Sequence, residues 1–476
     1  MWSTSHQPVQ SAVFRGAVGR MDAGPSALTF AVLMGLQTLG PTANAATYIG
    51  LSAWALLGAR QSIQAFTGCW LLLFLNPEIF PPSPVALLLR WLVVGASGVS
   101  VVGWTLARRD LKVPREVLSL LVFCTVSAIA AGIQLRDPSV SVAKAIVLLA
   151  SVFTILQGFR AGDADASRWR GWFEGLWMAL VLGSLPLFWS ELGYVTNQRS
   201  FQGLLNHPQA FGIVSATALA WYCGRLLEQL DERRWRRRAL LDIVMIAASA
   251  ALLIKSESRT AVAAVVLGGL LALIVRVGSL SKRSVLVALV IGGVFAAGVA
   301  TSPSLKAWTI NFLRKWDTEA SLTRATVITR EAMIVQSWEN FKQHPLVGIG
   351  LGVESVPGTS ENLEQVRHLG MPVSRPVEKG FLPTALLEET GVVGTLLFGL
   401  FIAGILLRIA KISAFPALWV GLTAVFINLG ESVLLSPGGM GLFVWLVLGY
   451  AITQRRDGRS SNSLFGPGAA RRVSRG

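Results

Sequence analysis

Three separated places in the chain bring ionisable side chains to the edge of a long apolar run, where chemistry on a charged substrate could be done. The first is Ser256-Glu257-Ser258-Arg259-Thr260, which leads into a stretch without ionisable groups through Val275. A helix N-terminus already carries positive partial charge, so an arginine there is badly placed unless an anion joins it. A phosphate held between the guanidinium and the first N–H groups of the helix would supply that anion. The plain alternative is an interfacial anchor that snorkels to the headgroups.

The second place is "NQRSFQGLLNHPQAFG" at 197–212, where Arg199 precedes a turn containing Gly203, Asn206, His207, Pro208 and Gln209. That turn could deliver polar groups into a cavity, and the simpler role for Arg199 is a solvated loop cation. His207 and His344 each precede a proline, which marks helix or turn boundaries rather than catalysis.

The third is Glu378, just ahead of "KGFLPTALLEETGVVGTLLFGLF" at 379–401. A partly desolvated carboxylate at such a junction can act as a general base. It could equally favour the start of the next helix or pair with Lys379 or Arg375. Glu361 and His368 are the other groups placed to take that proton, and Arg324, His368 and Arg375 are further candidate substrate contacts. Arg90, Lys144 and Glu431 lie within or beside apolar runs, where pairing inside a bundle is expected.

The elements that must position these groups follow from composition. With 53% hydrophobic and 14% charged residues over 476 positions, the chain has the character of a polytopic membrane protein. Apolar runs fall at 26–40, 43–58, 62–80, 84–107, 115–133, 140–158 and 171–190. They continue at 208–224, 238–254, 259–276, 284–301, 381–408, 415–430 and 437–453. The expected fold is an all-α integral membrane protein of roughly 12–14 transmembrane helices, because Pro41 either separates two short helices or kinks one.

Basic clusters at 108–115, 160–170, 231–238, 276–283 and 408–412 recur after every second run. By the positive-inside rule these loops and both termini are cytoplasmic. The other face then receives 190–209, the Lys255–Arg259 turn and one insertion of about 80 residues, longer than an ordinary connection. The organisation expected is a cytoplasmic segment 1–25, a bundle 26–301, a large periplasmic loop 302–380 with short helices, C-terminal spans 381–453 and a disordered basic tail 454–476. Within the loop, "SLTRATVITREAMIVQSWENFKQHP" has the spacing of an amphipathic helix. The glycine-rich "GIGLG" at 348–352 follows no clear strand, so it is not a dinucleotide-binding turn.

The net charge of +16 fits a membrane surface, and nucleic acid is not an expected partner. Cys69, Cys124 and Cys223 have neither paired spacing nor histidine neighbours, so neither a disulfide framework nor a metal site is expected.

Taken together, "RSFQGLLNHPQAFG", "SRTAVAAVVLGGLLAL", "HPLVGIGLG" and "GFLPTALLEETGVVG" resemble, in order and spacing, the O-antigen ligase and Wzy-type O-antigen polymerase superfamily. These are bacterial membrane glycosyltransferases of GT-C-like architecture, and the resemblance covers residues 195–400. It implies a multi-pass protein of the bacterial inner membrane with its active site on the periplasmic side. The implied donor is an undecaprenyl diphosphate-linked glycan and the acceptor a saccharide, a lipid A-core or another glycan. Transfer would be inverting, without metal or other cofactor. Arg199 and Arg259 match the arginines that hold the diphosphate. Where the family often has His-Asn before the helix after the large loop, this chain has Glu378 and Lys379, so Glu378 becomes the candidate catalytic base. Membrane lipids and a chain-length regulator or other polysaccharide assembly proteins are the partners implied.

Two other classes fit parts of the pattern. A transporter or flippase of lipid-linked saccharide or another anion would explain Arg90 and Lys144, and would rarely need so long an outer loop. A structural component of an envelope complex would bind glycan without turning it over, which the gathering of polar residues at one face disfavours.

Overall fold

An apolar run in lipid must satisfy its backbone internally, so it becomes a helix. The computed structural model describes residues 23–83, 85–107, 114–133, 137–162, 166–231, 237–278, 301–313, 322–356, 367–368, 371–372 and 379–455, with scattered positions from 286 to 297. Within these, every apolar run named above coincides with a helix, and the run 284–301 falls largely outside them. The chain is an all-α integral membrane protein.

The first helices are α1 (Ala23–Gln37), α2 (Pro41–Leu56), α3 (Ala59–Phe74), α4 (Ala86–Ala107), α5 (Arg115–Ile133), α6 (Pro138–Gly162) and α7 (Ala166–Ser184). They are followed by α8 (Pro208–Asp231), α9 (Arg237–Lys255) and α10 (Arg259–Arg276). The long insertion holds α11 (Pro303–Leu313), α12 (Leu322–Gln343) and a two-residue hairpin, β1 (Arg367–His368) with β2 (Met371–Pro372). The last helices are α13 (Leu382–Ile412), α14 (Phe415–Phe426) and α15 (Met440–Thr453). Among the described residues, α4 to α8, α10 and α13 are long and apolar enough to cross a membrane, and α1, α14 and α15 are shorter apolar helices. Pro41 separates α1 from α2: it is the first residue of α2, preceded by Gly40 at φ 104°.

The centre of the bundle is α15, buried continuously from Met440 to Ala451. A helix buried on every side must be apolar on every side, which is why its sequence shows no polar face. Its aromatic side chains lock into neighbours: Phe443 stacks on Trp70 of α3 with ring centroids 4.5 Å apart, and Tyr450 on Phe173 of α7 at 4.4 Å. On the perimeter, Leu92, Val99, Leu118, Ile129, Leu396 and Leu400 are exposed, as expected of side chains that face acyl chains. Helices α10 and α14 approach closely because α10 offers Gly268 and Gly269, where a Cβ would lie 2.8 Å from Thr423 Oγ1 and 2.6 Å from the Trp419 ring. The Trp419 indole N–H then reaches the Val265 carbonyl at 2.9 Å.

One break in the helical pattern matters for the site. Gly391 interrupts α13 at φ 61°, ψ −167°, so the backbone groups around it lose their helical partners. The loop after α12 supplies replacements from both sides. The N–H groups of Ile349 and Gly350 donate to the carbonyls of Glu388 and Glu389 at 2.7 and 3.1 Å. In return, Val392 and Val393 donate to the carbonyls of Pro345 and Leu346 at 2.9 and 3.2 Å. Thus "PLVGIG" and "EETGVV", about 40 residues apart in sequence, form one hydrogen-bonded unit. Alanine at Gly391 would place its Cβ 2.3 Å from the Leu346 carbonyl, in a backbone region that only glycine tolerates. We expect Gly391→Ala to cost about 3 kcal/mol or more and to expose the 344–356 loop to limited proteolysis. An unchanged digestion pattern and unfolding midpoint would show that the kink is not required.

Candidate functional site

The segment between α7 and α8 is fixed before it presents Arg199. Asn76, fully buried after α3, donates its amide to the carbonyls of Leu192 at 2.7 Å and Gly203 at 3.1 Å. Its backbone N–H reaches the Leu204 carbonyl at 2.8 Å, and Asn206 N–H reaches the Phe74 carbonyl at 2.8 Å. Asn197 Oδ1 then accepts from the N–H groups of Arg199 and Ser200, a local turn of the type that asparagine favours. His207 Nδ1 accepts from Gln209 N–H at 3.2 Å, a position at the start of α8 that agrees with a boundary role.

This loop docks on the turn that begins α10. Phe201 N–H donates to the Lys255 carbonyl at 2.9 Å. Glu257 receives Arg199 Nε at 3.2 Å on one carboxylate oxygen and the Ser200 hydroxyl at 3.0 Å on the other. Glu257 adopts φ 53°, uncommon for a residue with a side chain, and its carbonyl accepts from Arg259 N–H at 3.0 Å. Gly212 of α8 makes room for the turn: a Cβ there would fall 2.3 Å from the Ser258 side chain. Arg199 is exposed and Arg259, the first residue of α10, is half-buried. The two sequence-picked arginines are therefore carried by segments that meet through Glu257.

A second cluster lies where the GIGLG loop meets α13. Glu388 and Glu389 are buried, and so is Lys379, with its side chain 1% exposed. Lys379 Nζ stands 3.0 Å from Glu388 and 3.4 Å from Glu389, and Lys144 of α6 stands 3.4 Å from the other oxygen of Glu389. Glu388 also accepts from the Ser337 hydroxyl at 2.7 Å and the Asn340 amide at 2.6 Å, both from α12, while Gly352 N–H donates to Glu389 at 2.7 Å. Two lysines against two glutamates make the cluster neutral. Such a network fixes geometry: it ties α6, α12 and α13 to the first residues after the large insertion.

Of the other sequence-picked residues, Arg324 lies in the first turn of α12 and His368 in β1, its Cα paired with Met371. Glu361, Arg375 and Glu378 lie outside the described residues. Glu378 immediately precedes the anchored Lys379 in the chain. Lys379 itself is engaged by Glu388 and Glu389. Arg90 donates to the Gly438 carbonyl at 3.2 Å and lies over the Trp91 ring. The carboxylates 388 and 389, with Ser337 and Asn340, were not singled out by residue type. Two adjacent glutamates inside an otherwise apolar run were the available signal, since such charges require buried partners.

A multi-pass helical bundle with cationic and carboxylate groups gathered around one long insertion is the class of protein that fold and site define. Residues 243–399, about a third of the chain, match the family model described as O-antigen ligase, a match that supports the resemblance to the O-antigen ligase and Wzy-type superfamily. The matched segment contains Arg259, the long insertion and the Glu388–Glu389 pair, and it leaves Arg199 outside. No curated protein matches the chain.

Proposed function

We propose that this chain is a glycosyltransferase of the bacterial inner membrane that moves or polymerises an undecaprenyl diphosphate-linked oligosaccharide at the periplasmic face. The domain match supports an O-antigen ligase or polymerase type of function, with a lipid-linked glycan donor and a glycan acceptor. The observation that carries the finer reading is the docking of the Arg199 loop on the turn that begins α10 with Arg259. Two arginines delivered to one place from separate segments suit a diphosphate, whose negative charge grows as the glycosidic C–O bond breaks. Glu378 takes the acceptor hydroxyl proton in this scheme, and displacement on the opposite face of the sugar inverts the anomeric centre. Lys379, held by Glu388 and Glu389, anchors the chain beside it.

Purified protein in nanodiscs, given undecaprenyl diphosphate-linked repeat units, tests the scheme. Chain growth without added acceptor identifies a polymerase, and product only with a lipid A-core or other acceptor identifies a ligase. Movement of intact substrate across a sealed bilayer, without product in either assay, would replace the enzyme with a flippase.

A further inference from the structure

At the far end of the bundle from Arg259, the ends of α5, α6, α13 and α15 surround a cavity of about 120 Å³. The cavity is lined by Arg160, Arg408, Arg455, Glu116, Phe159 and Thr453 among others. A water needs only about 10–15 Å³ by the same measure, so a tetrahedral phosphate fits. Its depth follows from helix geometry. Arg160 is 16 positions beyond Lys144 on α6 and Arg408 is 19 beyond Glu389 on α13, rises of about 24 and 28 Å. With a hydrocarbon core of about 30 Å, the cavity lies most of a membrane thickness from the Lys144–Glu389 pair, at the basic ends of these helices.

Among the described residues of the lining, three arginines stand with one glutamate. Glu116 accepts from Arg408 Nη1 at 3.1 Å and so orients that guanidinium. Arg455 is placed by its backbone, through the bridge to Ser413 and the bond from Ala414 N–H to the Gln454 carbonyl at 2.8 Å. The helix dipole alone accounts for one cation at each helix C-terminus. The positive-inside rule adds basic residues to this side, but neither effect directs three guanidiniums onto one hollow with an apolar wall, where the buried Phe159 ring is braced by Trp169 at 4.8 Å.

We propose that this cavity binds a phosphate group, supplied by an anionic phospholipid of the leaflet it faces. Arg160, Arg408 and Arg455 donate to the phosphate oxygens, and the Phe159 side meets the apolar part of the lipid. The site is independent of the glycosyl-transfer reading, because none of these residues belongs to the proposed reaction.

The test titrates phosphatidylglycerol into the protein in phosphatidylcholine nanodiscs, with bound lipid counted by native mass spectrometry and unfolding midpoints read in parallel. Phosphatidylcholine carries the same phosphate with a compensating ammonium, so a preference for phosphatidylglycerol reports the cavity's net charge. The expected result is saturable phosphatidylglycerol binding that raises the midpoint, weakened by ~10-fold or more in the double variant Arg160→Gln, Arg455→Gln. The variant's midpoint in phosphatidylcholine alone shows whether it is folded, and should it misfold, the single variant Arg455→Gln, whose side chain is exposed, carries the same comparison. An equal midpoint rise from inorganic phosphate would make the source a soluble anion and overturn the lipid assignment. Equal retention of the two lipids, or undiminished binding in a folded variant, overturns the site.

Discussion

Replacing Lys379 with methionine should destabilise the protein more than any surface charge change, by about 3–5 kcal/mol, because it strands a buried carboxylate. The side chain is 1% exposed and its ammonium is 3.0 Å from Glu388. Without it, Glu389 keeps Lys144 at 3.4 Å and the Gly352 N–H at 2.7 Å. Glu388 keeps the neutral donors Ser337 and Asn340, and loses the lysine. Two neutral hydrogen bonds do not offset the cost of an ionised carboxylate removed from water. Adding Glu388→Gln to the methionine variant should recover most of the loss, since the amide oxygen can accept from Asn340 and Ser337 can rotate to accept from the new NH₂. Thermal unfolding in one nanodisc composition measures both variants. A single variant as stable as wild type, or a double variant no better than the single, would show that the cluster does not hold α12 and α13 together.

The fold was largely legible because the bilayer leaves so few choices. A run such as 140–158 has to be a helix in lipid, and α6 (Pro138–Gly162) covers it. The segment within the insertion read as an amphipathic helix is indeed helical, α12 (Leu322–Gln343), but it has no distinct apolar face, and Trp338 of the expected stripe is exposed. What spacing could not give was which runs would lie at the centre. The sequence of α15 and that of α10 are both apolar, but α15 is buried on all sides while α10 exposes Val266, Leu270 and Ile274. Lipid and protein interior select the same residue types, so composition does not separate them.

The candidate site was legible one residue at a time, and its connections were not. Arg259 stood out because a cation before an apolar helix conflicts with the helix dipole, and Arg199 because it precedes a turn rich in polar groups. Glu257, which joins the two segments, lies 58 residues from Arg199. The GIGLG turn has a tertiary use that no local pattern declares. Its N–H groups close the carbonyls freed by the Gly391 break, and Gly352 brings its own N–H onto Glu389. Likewise Glu389 is paired with Lys144 across 245 positions, a distance at which sequence alone names no partner.

On the proposed reading, Arg259→Ala should lower glycan transfer by ~10²-fold or more while leaving the protein folded. The two effects separate because they have opposite signs. For the chemistry, the guanidinium supplies paired donors and a full charge to a diphosphate that gains charge as it departs, and no neutral side chain replaces either. For the helix, Arg259 is a cation in the first turn of α10, so its removal relieves a dipole conflict of about 0.3–1 kcal/mol. Glu257, just before the helix, remains to complement the N-terminus. The unfolding midpoint should therefore change little as activity falls, a combination that a purely structural arginine would not produce. Arg259→Lys should restore only part of the rate, because an ammonium keeps the charge and loses the bidentate geometry. Arg199, half-exposed and paired with Glu257, should show a smaller loss on the same substitution, since solvent already screens its charge. A wild-type transfer rate in Arg259→Ala, measured with normal protein level and an unchanged midpoint, would take the arginine out of the diphosphate site.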